Sequence, residues 1–257
     1  MLCANLYFPF KKNPDLLASF LRHRISKEIK SIEAIELEFE EQPPLGPKML
    51  LGEPGIGTRG KNQTSPDIAF IVRTASDTKG LILTENKFTE HSFYDCSGRK
   101  AEDNPTPEKC LDIHQVLNKL QTVCYQLNWA KDGRPNRKYW DNLKISEYGR
   151  ITLKHCPAAI SGCQLFRQQA LAEGIAQSGK YDLVFSCVAY DERNLDLISC
   201  MRKNGVNDFR TEWGKLFEGK AKFVTFSHQQ WVNWVRANDN KGDWKKWLTY
   251  IQERYEI

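Results

Sequence analysis

The sequence has no apolar run approaching the roughly 18 residues that a membrane-spanning helix requires. Its N-terminal segment also lacks the apolar core of a secretory signal peptide. Internal repeats and low-complexity tracts are missing too, which excludes solenoid and linker-rich architectures. We therefore expect a cytoplasmic protein with no membrane contact.

Cysteine pairs of the CxxC form are also absent, although the chain has eight cysteines. Without an export signal, these cysteines argue against a disulfide framework, because such frameworks belong to small secreted domains. Four of them are predicted as a second metal site, whose thiols suit zinc or an iron–sulfur cluster: Cys96, Cys110, Cys156 and Cys163. The alternative, burial of free thiols in the core, stays open because their spacing is not diagnostic.

A strong charge of either sign is also lacking, since 37 Lys and Arg residues stand against 32 Asp and Glu residues. This mild basic excess is compatible with nucleic acid and equally with small anionic substrates. The 257 residues, 40% of them hydrophobic, suffice for a large core. No clear linker divides them, so we predict one domain over residues 1–257, with additions after about residue 205.

What the sequence does contain is a pair of strand-like apolar runs, Ser65–Arg73 and Gly80–Lys87. The first opens on Asp67, and the second closes on Glu85 and Lys87. Side chains alternate between the faces of a strand, so Glu85 and Lys87 share one face, and a hairpin places Asp67 beside them. Charges at the end of apolar strands are costly to bury unless they are paired or bound to metal. We therefore predict a functional site here.

The residue types at this site suit phosphodiester hydrolysis. Two carboxylates and the main-chain carbonyl of Asn86 are oxygen ligands of the kind that Mg²⁺ or Mn²⁺ prefers. A neighbouring lysine orients or deprotonates the attacking water and offsets charge on the phosphate. The alternative is that Asp67 caps a turn while Glu85 and Lys87 form an ordinary exposed pair.

The pattern Pro66-Asp67, a strand–turn–strand gap and then Glu85-Asn86-Lys87 resembles the PD-(D/E)XK nuclease superfamily, and the longer run to Glu90 resembles bacterial restriction endonucleases. The resemblance implies an α/β (α+β) fold with an αβββαβ core, a mixed central sheet flanked by helices and a helical C-terminal addition. It implies that Asp67 and Glu85 bind metal with the Asn86 carbonyl and that Lys87 is the catalytic lysine. In this superfamily a later helix often lends a polar residue, for which we nominate Gln164.

The implied function is a magnesium- or manganese-dependent endonuclease that hydrolyses DNA, in restriction or anti-phage defence. Cutting both strands commonly requires two active sites, so we expect a homodimer or a defence-system partner protein. The alternative is a non-catalytic module for nucleic-acid or protein interaction on the same fold. The standard residues at all three functional positions, Asp67, Glu85 and Lys87, favour the enzyme.

Four basic residues are predicted to contact the nucleic-acid backbone: Arg59, Lys61, Arg137 and Lys138. For the last two, which adjoin Tyr139 and Trp140, an exposed hairpin or loop is the alternative. The segment Gly55–Asn62 nearly matches the phosphate-binding loop GxxxxGK[ST]. We predict no nucleotide site there, because Asn62 replaces the required hydroxyl residue and no long apolar strand precedes the segment.

The remaining periodicity predicts helices over 14–30, 111–129, 164–177 and 207–218, and two more from Ser227 and from Asp243. Alternation and apolar runs predict strands over 32–40, 181–190 and 221–226. Tryptophans at positions 231, 234, 244 and 247 recur at helical spacing, which predicts core packing or a partner surface.

Overall fold

A mixed five-stranded sheet with the order β1-β2-β3-β5-β7 forms the centre of the molecule. The computed structural model describes residues 2–54, 63–102, 104–128 and 136–257. Its strands are β1 (Ile29–Leu37), β2 (Ile68–Thr74), β3 (Lys79–Lys87), β4 (Lys144–Ile145), β5 (Leu183–Tyr190), β6 (Phe217–Glu218) and β7 (Lys222–Ser227). The short strands β4 and β6 pair with each other in a separate sheet.

Helices cover both faces of the central sheet. They are α1 (Leu2–Tyr7), α2 (Asp15–Arg24), α3 (Pro47–Leu51), α4 (Ile113–Asn118), α5 (Leu120–Val123), α6 (Tyr139–Asn142), α7 (Glu147–Thr152), α8 (Cys163–Ser178), α9 (Leu195–Ser199), α10 (Phe209–Glu212), α11 (His228–Asn238) and α12 (Lys245–Tyr255). Turns of 3₁₀ helix occupy Phe8–Lys12, Lys109–Leu111, Tyr125–Asn128, Arg202–Asn204 and Trp213–Leu216. Within the described ranges, none of these helices has the length and apolar character needed to cross a bilayer.

The chain order α2-β1-β2-β3-α8-β5 confirms the predicted αβββαβ core. Strands β1, β2 and β3 form an antiparallel meander, while β3, β5 and β7 run parallel. A parallel pair needs a crossover connection, which α8 supplies between β3 and β5. The predicted mixed sheet flanked by helices is therefore confirmed.

The two faces of the sheet bury different side chains. One face packs against α8 in an aliphatic and aromatic cluster, and the other packs against α1, α2, α11 and α12. On the second face Trp231 is fully buried and Phe10 stacks on Trp244 with ring centroids 3.7 Å apart. Core packing, one of the two alternatives for the tryptophan series, is thus confirmed for Trp231. Strand β5 is buried along its whole length, as predicted for a central strand.

The predicted continuous helix over 111–129 is wrong, because two short helices, α4 and α5, and a 3₁₀ turn occupy this stretch instead. Asp112 accepts hydrogen bonds from the His114 and Gln115 N–H groups and so begins α4. Lys119, with φ −136° and ψ 36°, then separates α4 from α5. Apolar spacing continues across this break, so periodicity alone does not reveal it.

Several other boundaries also differ from prediction. The helix predicted over 14–30 ends at Arg24, and β1 begins at Ile29, before the predicted strand start. Arg22 holds this corner by donating to the carbonyls of Ile29 and Lys30. The helix predicted over 207–218 is α10 followed by a 3₁₀ turn.

Candidate active site

A cavity of about 270 Å³ opens where β2 begins and β3 ends. It brings together every residue of the main predicted site: Asp67, Glu85, Asn86, Lys87 and Gln164. Leu2, Cys3, Phe88, Glu90 and Tyr94 complete the lining. Because Ile68 faces Thr84 in the hairpin register, the next pair outward is Asp67 and Glu85. The hairpin therefore creates the pairing of carboxylates that strand alternation predicts.

Lys87 lies between a carboxylate and an amide. Its Nζ is 3.0 Å from Glu85 Oε1 and donates a 2.7 Å hydrogen bond to Gln164 Oε1. The side chains of Lys87 and Glu85 are only 3% and 10% exposed, so they are a buried pair rather than an ordinary exposed one. Burial lowers the pKa of Lys87, but the Glu85 charge and hydrogen bond outweigh it and raise the pKa overall. Lys87 is therefore an ammonium ion at neutral pH.

Asp67 is the carboxylate of the pair whose negative charge is less well compensated. Its Oδ2 accepts a 2.7 Å hydrogen bond from the main-chain N–H of Asn86. Burial, followed by the neighbouring charge of Glu85, raises the pKa of Asp67 to about 7, although the Asn86 hydrogen bond and Lys87 act in the opposite direction. The ionised form of Asp67 is thus costly here, and a divalent cation between the two carboxylates would remove that cost.

Glu90 is a third carboxylate at the cavity, which the sequence analysis did not assign. Its Oε2 accepts a 2.9 Å hydrogen bond from the Phe88 N–H. Burial raises the pKa of Glu90, but hydrogen bonds from main-chain N–H groups, led by that of Phe88, and the charge of Lys87 lower it overall. The only sequence signal was its place three residues beyond Lys87, in the irregular chain after β3, where strand alternation no longer applies.

The end of β3 is held in place by main-chain contacts to Lys87. The Lys87 carbonyl accepts hydrogen bonds from the Asp191 N–H at 3.1 Å and from His228 Nε2 at 3.0 Å. His228 Nε2 must therefore carry the proton, and Nδ1 is left to accept from the Tyr7 hydroxyl at 3.4 Å. Burial lowers the pKa of His228 to about 4, so the ring is neutral at physiological pH.

Gln164 reaches the cavity because the first turn of α8 is fixed against the chain that follows β3. The N–H groups of Cys163 and Gln164 donate to the carbonyls of Tyr94 and Phe93 at 3.0 and 2.9 Å. One turn later, Gln168 Nε2 donates to the carbonyls of Leu83 in β3 and Cys187 in β5. Helix α8 is thereby fixed to the same strands that carry the carboxylates.

A model of the family described as "Restriction Endonuclease associating with ARP" (REase-ARP) matches residues 1–256. The chain belongs to this family. No curated protein and no solved structure matches it. The REase-ARP assignment confirms the resemblance to restriction endonucleases and agrees with the mixed sheet and flanking helices. It makes this a nuclease-like protein.

The cysteines predicted as a second site lie apart from the Asp67 cavity in this REase-ARP protein. Cys96, Cys156 and Cys163 line a cavity of about 610 Å³, together with Cys124, which the prediction omitted. Cys110 lines a small neighbouring cavity together with Cys96, Cys124 and Cys156. Among the described residues, no three His, Cys, Asp or Glu side chains are arranged to hold a single metal ion.

The basic residues predicted to contact nucleic acid are not at the Asp67 cavity where the structure describes them. Arg59 and Lys61, with the rest of Gly55–Asn62, lie outside the described residues. Arg137 donates to the Gly52 carbonyl at 2.7 Å and lines the cysteine cavity, while Lys138 is exposed.

The aromatics beside these cations do not form an exposed hairpin. Tyr139 is buried, and Trp140 packs on Phe166 with ring centroids 4.9 Å apart. Both residues lie in the short helix α6. Packing against α8 therefore accounts for this aromatic pair.

Proposed function

We propose that this protein is a metal-dependent endonuclease that hydrolyses phosphodiester bonds of DNA. The observation that carries the proposal is the convergence of Asp67, Glu85 and Lys87 on one cavity, with Gln164 hydrogen-bonded to the lysine. Membership of a restriction endonuclease family supports the same chemistry. Restriction or anti-phage defence is the biological setting that we propose.

The residues present fit a hard divalent cation. Asp67 and Glu85 offer carboxylate oxygens, and the main-chain carbonyl of Asn86 is the proposed third ligand. The raised pKa of Asp67 reflects a place where negative charge lacks compensation. When bound, Mg²⁺ or Mn²⁺ supplies a Lewis acid and lowers the pKa of a coordinated water.

Lys87 supplies the positive charge of the protein itself. Glu85 and Gln164 fix its ammonium group, leaving one N–H to point toward a phosphate oxygen or the attacking water. Its charge offsets the charge that develops on the phosphate in the transition state. Because Lys87 is buried and paired, it is preorganised for this role.

Substrate contact at the cavity mouth involves an aromatic residue. The Tyr94 side chain is 57% exposed, and Lys87 Nζ lies 5.5 Å from its ring centroid. An exposed ring beside a phosphate site suits stacking on a base. We propose Tyr94 for this contact and Arg59, Lys61, Arg137 and Lys138 for the backbone, with a homodimer or a defence partner completing double-strand cleavage.

The test is cleavage of plasmid and linear DNA by the purified protein with Mg²⁺ or Mn²⁺. We expect nicking or cutting that EDTA abolishes and that Lys87→Ala abolishes, because the transition-state charge loses its partner. The matched control is Lys79→Ala at the exposed opposite end of the same strand, which should cleave normally. A thermal unfolding curve for each variant separates lost chemistry from lost folding.

Cleavage at the normal rate by Lys87→Ala would overturn the proposal. So would wild-type protein that binds DNA and never cuts it with either metal. That second outcome would instead support the non-catalytic module on a nuclease-like fold.

A further inference from the structure

Two free cysteines that are far apart in the sequence, Cys96 and Cys163, are in hydrogen-bond contact with each other. Main-chain pairing of the segments that carry them creates this contact. The N–H of Phe93 donates to the carbonyl of Ser161 at 3.0 Å. The N–H of Cys163 donates to the carbonyl of Tyr94, also at 3.0 Å. The fold therefore holds the two thiols side by side.

Cys96 has the surroundings of a reactive thiolate. A hydrogen bond from the Cys163 thiol lowers the pKa of Cys96 to about 6, although burial acts in the opposite direction. The main-chain N–H groups of Arg99 and Gly98 contribute to the lowering, and Gln126 Nε2 donates to Cys96 Sγ at 3.7 Å. Because the thiolate is the nucleophilic form of cysteine, Cys96 is the member of the pair that reacts first.

Cys163 is the protonated partner of this thiolate. The hydrogen bond with Cys96 and then burial raise the pKa of Cys163, so its thiol keeps the proton. A thiol in this place can condense with a sulfenic acid formed on its neighbour. Other cysteines nearby are less suited, because the Cys110 thiol donates to the Pro107 carbonyl at 3.2 Å. Burial also raises the pKa of Cys124 to about 11.

A small oxidant has access to the pair. Cys96 and Cys163 are only partly buried, and both line the cavity of about 610 Å³. A water molecule takes up about 30 Å³ in the liquid. The cavity therefore has room for several molecules of that size, and for hydrogen peroxide.

We propose that hydrogen peroxide converts Cys96 and Cys163 into a reversible disulfide. The Cys96 thiolate attacks one peroxide oxygen, the O–O bond breaks and an S–O bond forms, which gives a sulfenic acid and a hydroxide ion that takes up a proton. The Cys163 sulfur then attacks the Cys96 sulfur, the S–O bond breaks, and the thiol proton leaves with the hydroxyl group as water. The two sulfurs are oxidised and the peroxide is reduced to water. A dithiol reverses the change by thiol–disulfide exchange.

The disulfide acts on the candidate active site through α8. Cys163 is the first residue of this helix, and the next residue, Gln164, accepts the 2.7 Å hydrogen bond from Lys87. A covalent bond between two sulfurs is shorter than their hydrogen-bond contact, so its formation shifts the first turn of α8 relative to β3. We expect the rate of DNA cleavage to fall about tenfold on oxidation, because Gln164 is then displaced from Lys87. This effect rests on the proposed nuclease activity, whereas formation of the disulfide does not.

The experiment is treatment of the reduced, folded full chain with a small excess of hydrogen peroxide, followed by counting of free thiols and mass mapping of linked peptides. We expect the loss of two thiols, a mass decrease of about 2 Da and a linkage of Cys96 to Cys163, all reversed by dithiothreitol. Cys163→Ser should stop at the sulfenic acid of Cys96, which dimedone traps. Cys110→Ser and Cys124→Ser are the matched controls from the same region, and both should form the linkage as the wild type does.

Several outcomes would overturn the proposal. Folded wild-type protein that keeps all its thiols under this treatment, or loses them only in urea, would end it. A linkage from Cys96 to any cysteine other than Cys163 would refute the pair. This mapping uses the wild type and does not depend on whether any variant folds. Oxidised protein that cleaves DNA as fast as the reduced form would refute only the effect on Gln164, and protein that forms the linkage but never cuts DNA would overturn only the nuclease proposal.

Discussion

Two carboxylates near α8, the fully buried Glu53 and the half-buried Asp67, have opposite environments. The Glu53 side chain is fully buried and accepts hydrogen bonds from the Thr64 N–H and hydroxyl, the Tyr139 hydroxyl and the Arg167 guanidinium. Asp67 accepts one from the Asn86 N–H and faces the like charge of Glu85. The first carboxylate is satisfied by the fold, and the second is not.

This difference in hydrogen bonding indicates different roles for the two carboxylates, structural for Glu53 and functional for Asp67. A buried charge that is paired and fully hydrogen-bonded holds surrounding segments together, and here Glu53 joins α8, α6 and the chain before β2. A carboxylate that is partly removed from water without such partners reduces the free energy of unfolding, and it persists where a ligand or a reaction uses its charge. This contrast supports the proposal that Asp67 belongs to the active site, independently of any motif.

The largest expected effect is that of Asp67→Asn. Loss of the carboxylate that we propose as a metal ligand should reduce DNA cleavage by on the order of a thousandfold or more. In EDTA the same variant should be more stable than the wild type by about 2 kcal/mol at pH 8, because it removes a half-buried charge and its repulsion from Glu85. Urea unfolding at pH 5 and pH 8 measures this difference.

The pH dependence has a definite sign. The pKa of folded Asp67, about 7, lies above that of an unfolded aspartate, so its contribution to stability is greatest below about pH 4 and is lost as the pH rises toward 7. The advantage of Asp67→Asn should therefore grow between pH 5 and pH 8. A variant less stable than wild type at pH 8 would mean that Asp67 is a structural carboxylate like Glu53.

The sequence was sufficient to predict that Asp67, Glu85 and Lys87 lie together, because all three belong to or adjoin regular strands. Alternation in β3 fixes the shared face of Glu85 and Lys87, and a short turn fixes the register that adds Asp67. Gln164 could be predicted only from the family resemblance, since it lies 77 positions from Lys87 in the sequence. Glu90 was missed because it lies in the irregular chain after β3, where no periodicity applies.

The environment of Glu53 could not be predicted from the sequence, because irregular segments rather than regular strands form it. Its partners Thr64, Tyr139 and Arg167 come from segments with no common period, and only tertiary packing brings them together. The same holds for Cys124, which lies beside Cys96 and Cys156 because α4 and α5 break where the apolar pattern continues. Contacts between irregular segments leave no local signature in a single sequence.

Glu53→Gln should have the second-largest effect. It should lower the free energy of unfolding, whereas Asp67→Asn should raise it. It leaves the half-buried Arg167 without its counter-charge, which should lower the free energy of unfolding by about 3 kcal/mol. Urea unfolding at pH 7 measures the loss, and the folded variant should still cleave DNA. The control is Glu33→Gln, which breaks the half-exposed Arg73 pair and should cost below about 1 kcal/mol. Equal losses in both variants would remove the distinction drawn for Glu53.

Gln164→Ala should have the smallest effect. It tests whether cleavage depends on the uncharged side chain that accepts a hydrogen bond from Lys87. The change removes the acceptor at 2.7 Å from Lys87 Nζ and leaves Glu85 in place at 3.0 Å, so the ammonium stays charged but is less well oriented. We expect kcat for DNA cleavage to fall about tenfold with KM unchanged, the pattern of an interaction that acts in the transition state. Gln177→Ala, on the exposed last turn of the same helix, is the control and should leave kcat unaltered. Gln164→Glu keeps an acceptor for Lys87 and should recover part of the rate, whereas an unchanged kcat in Gln164→Ala would show that Glu85 alone positions the lysine.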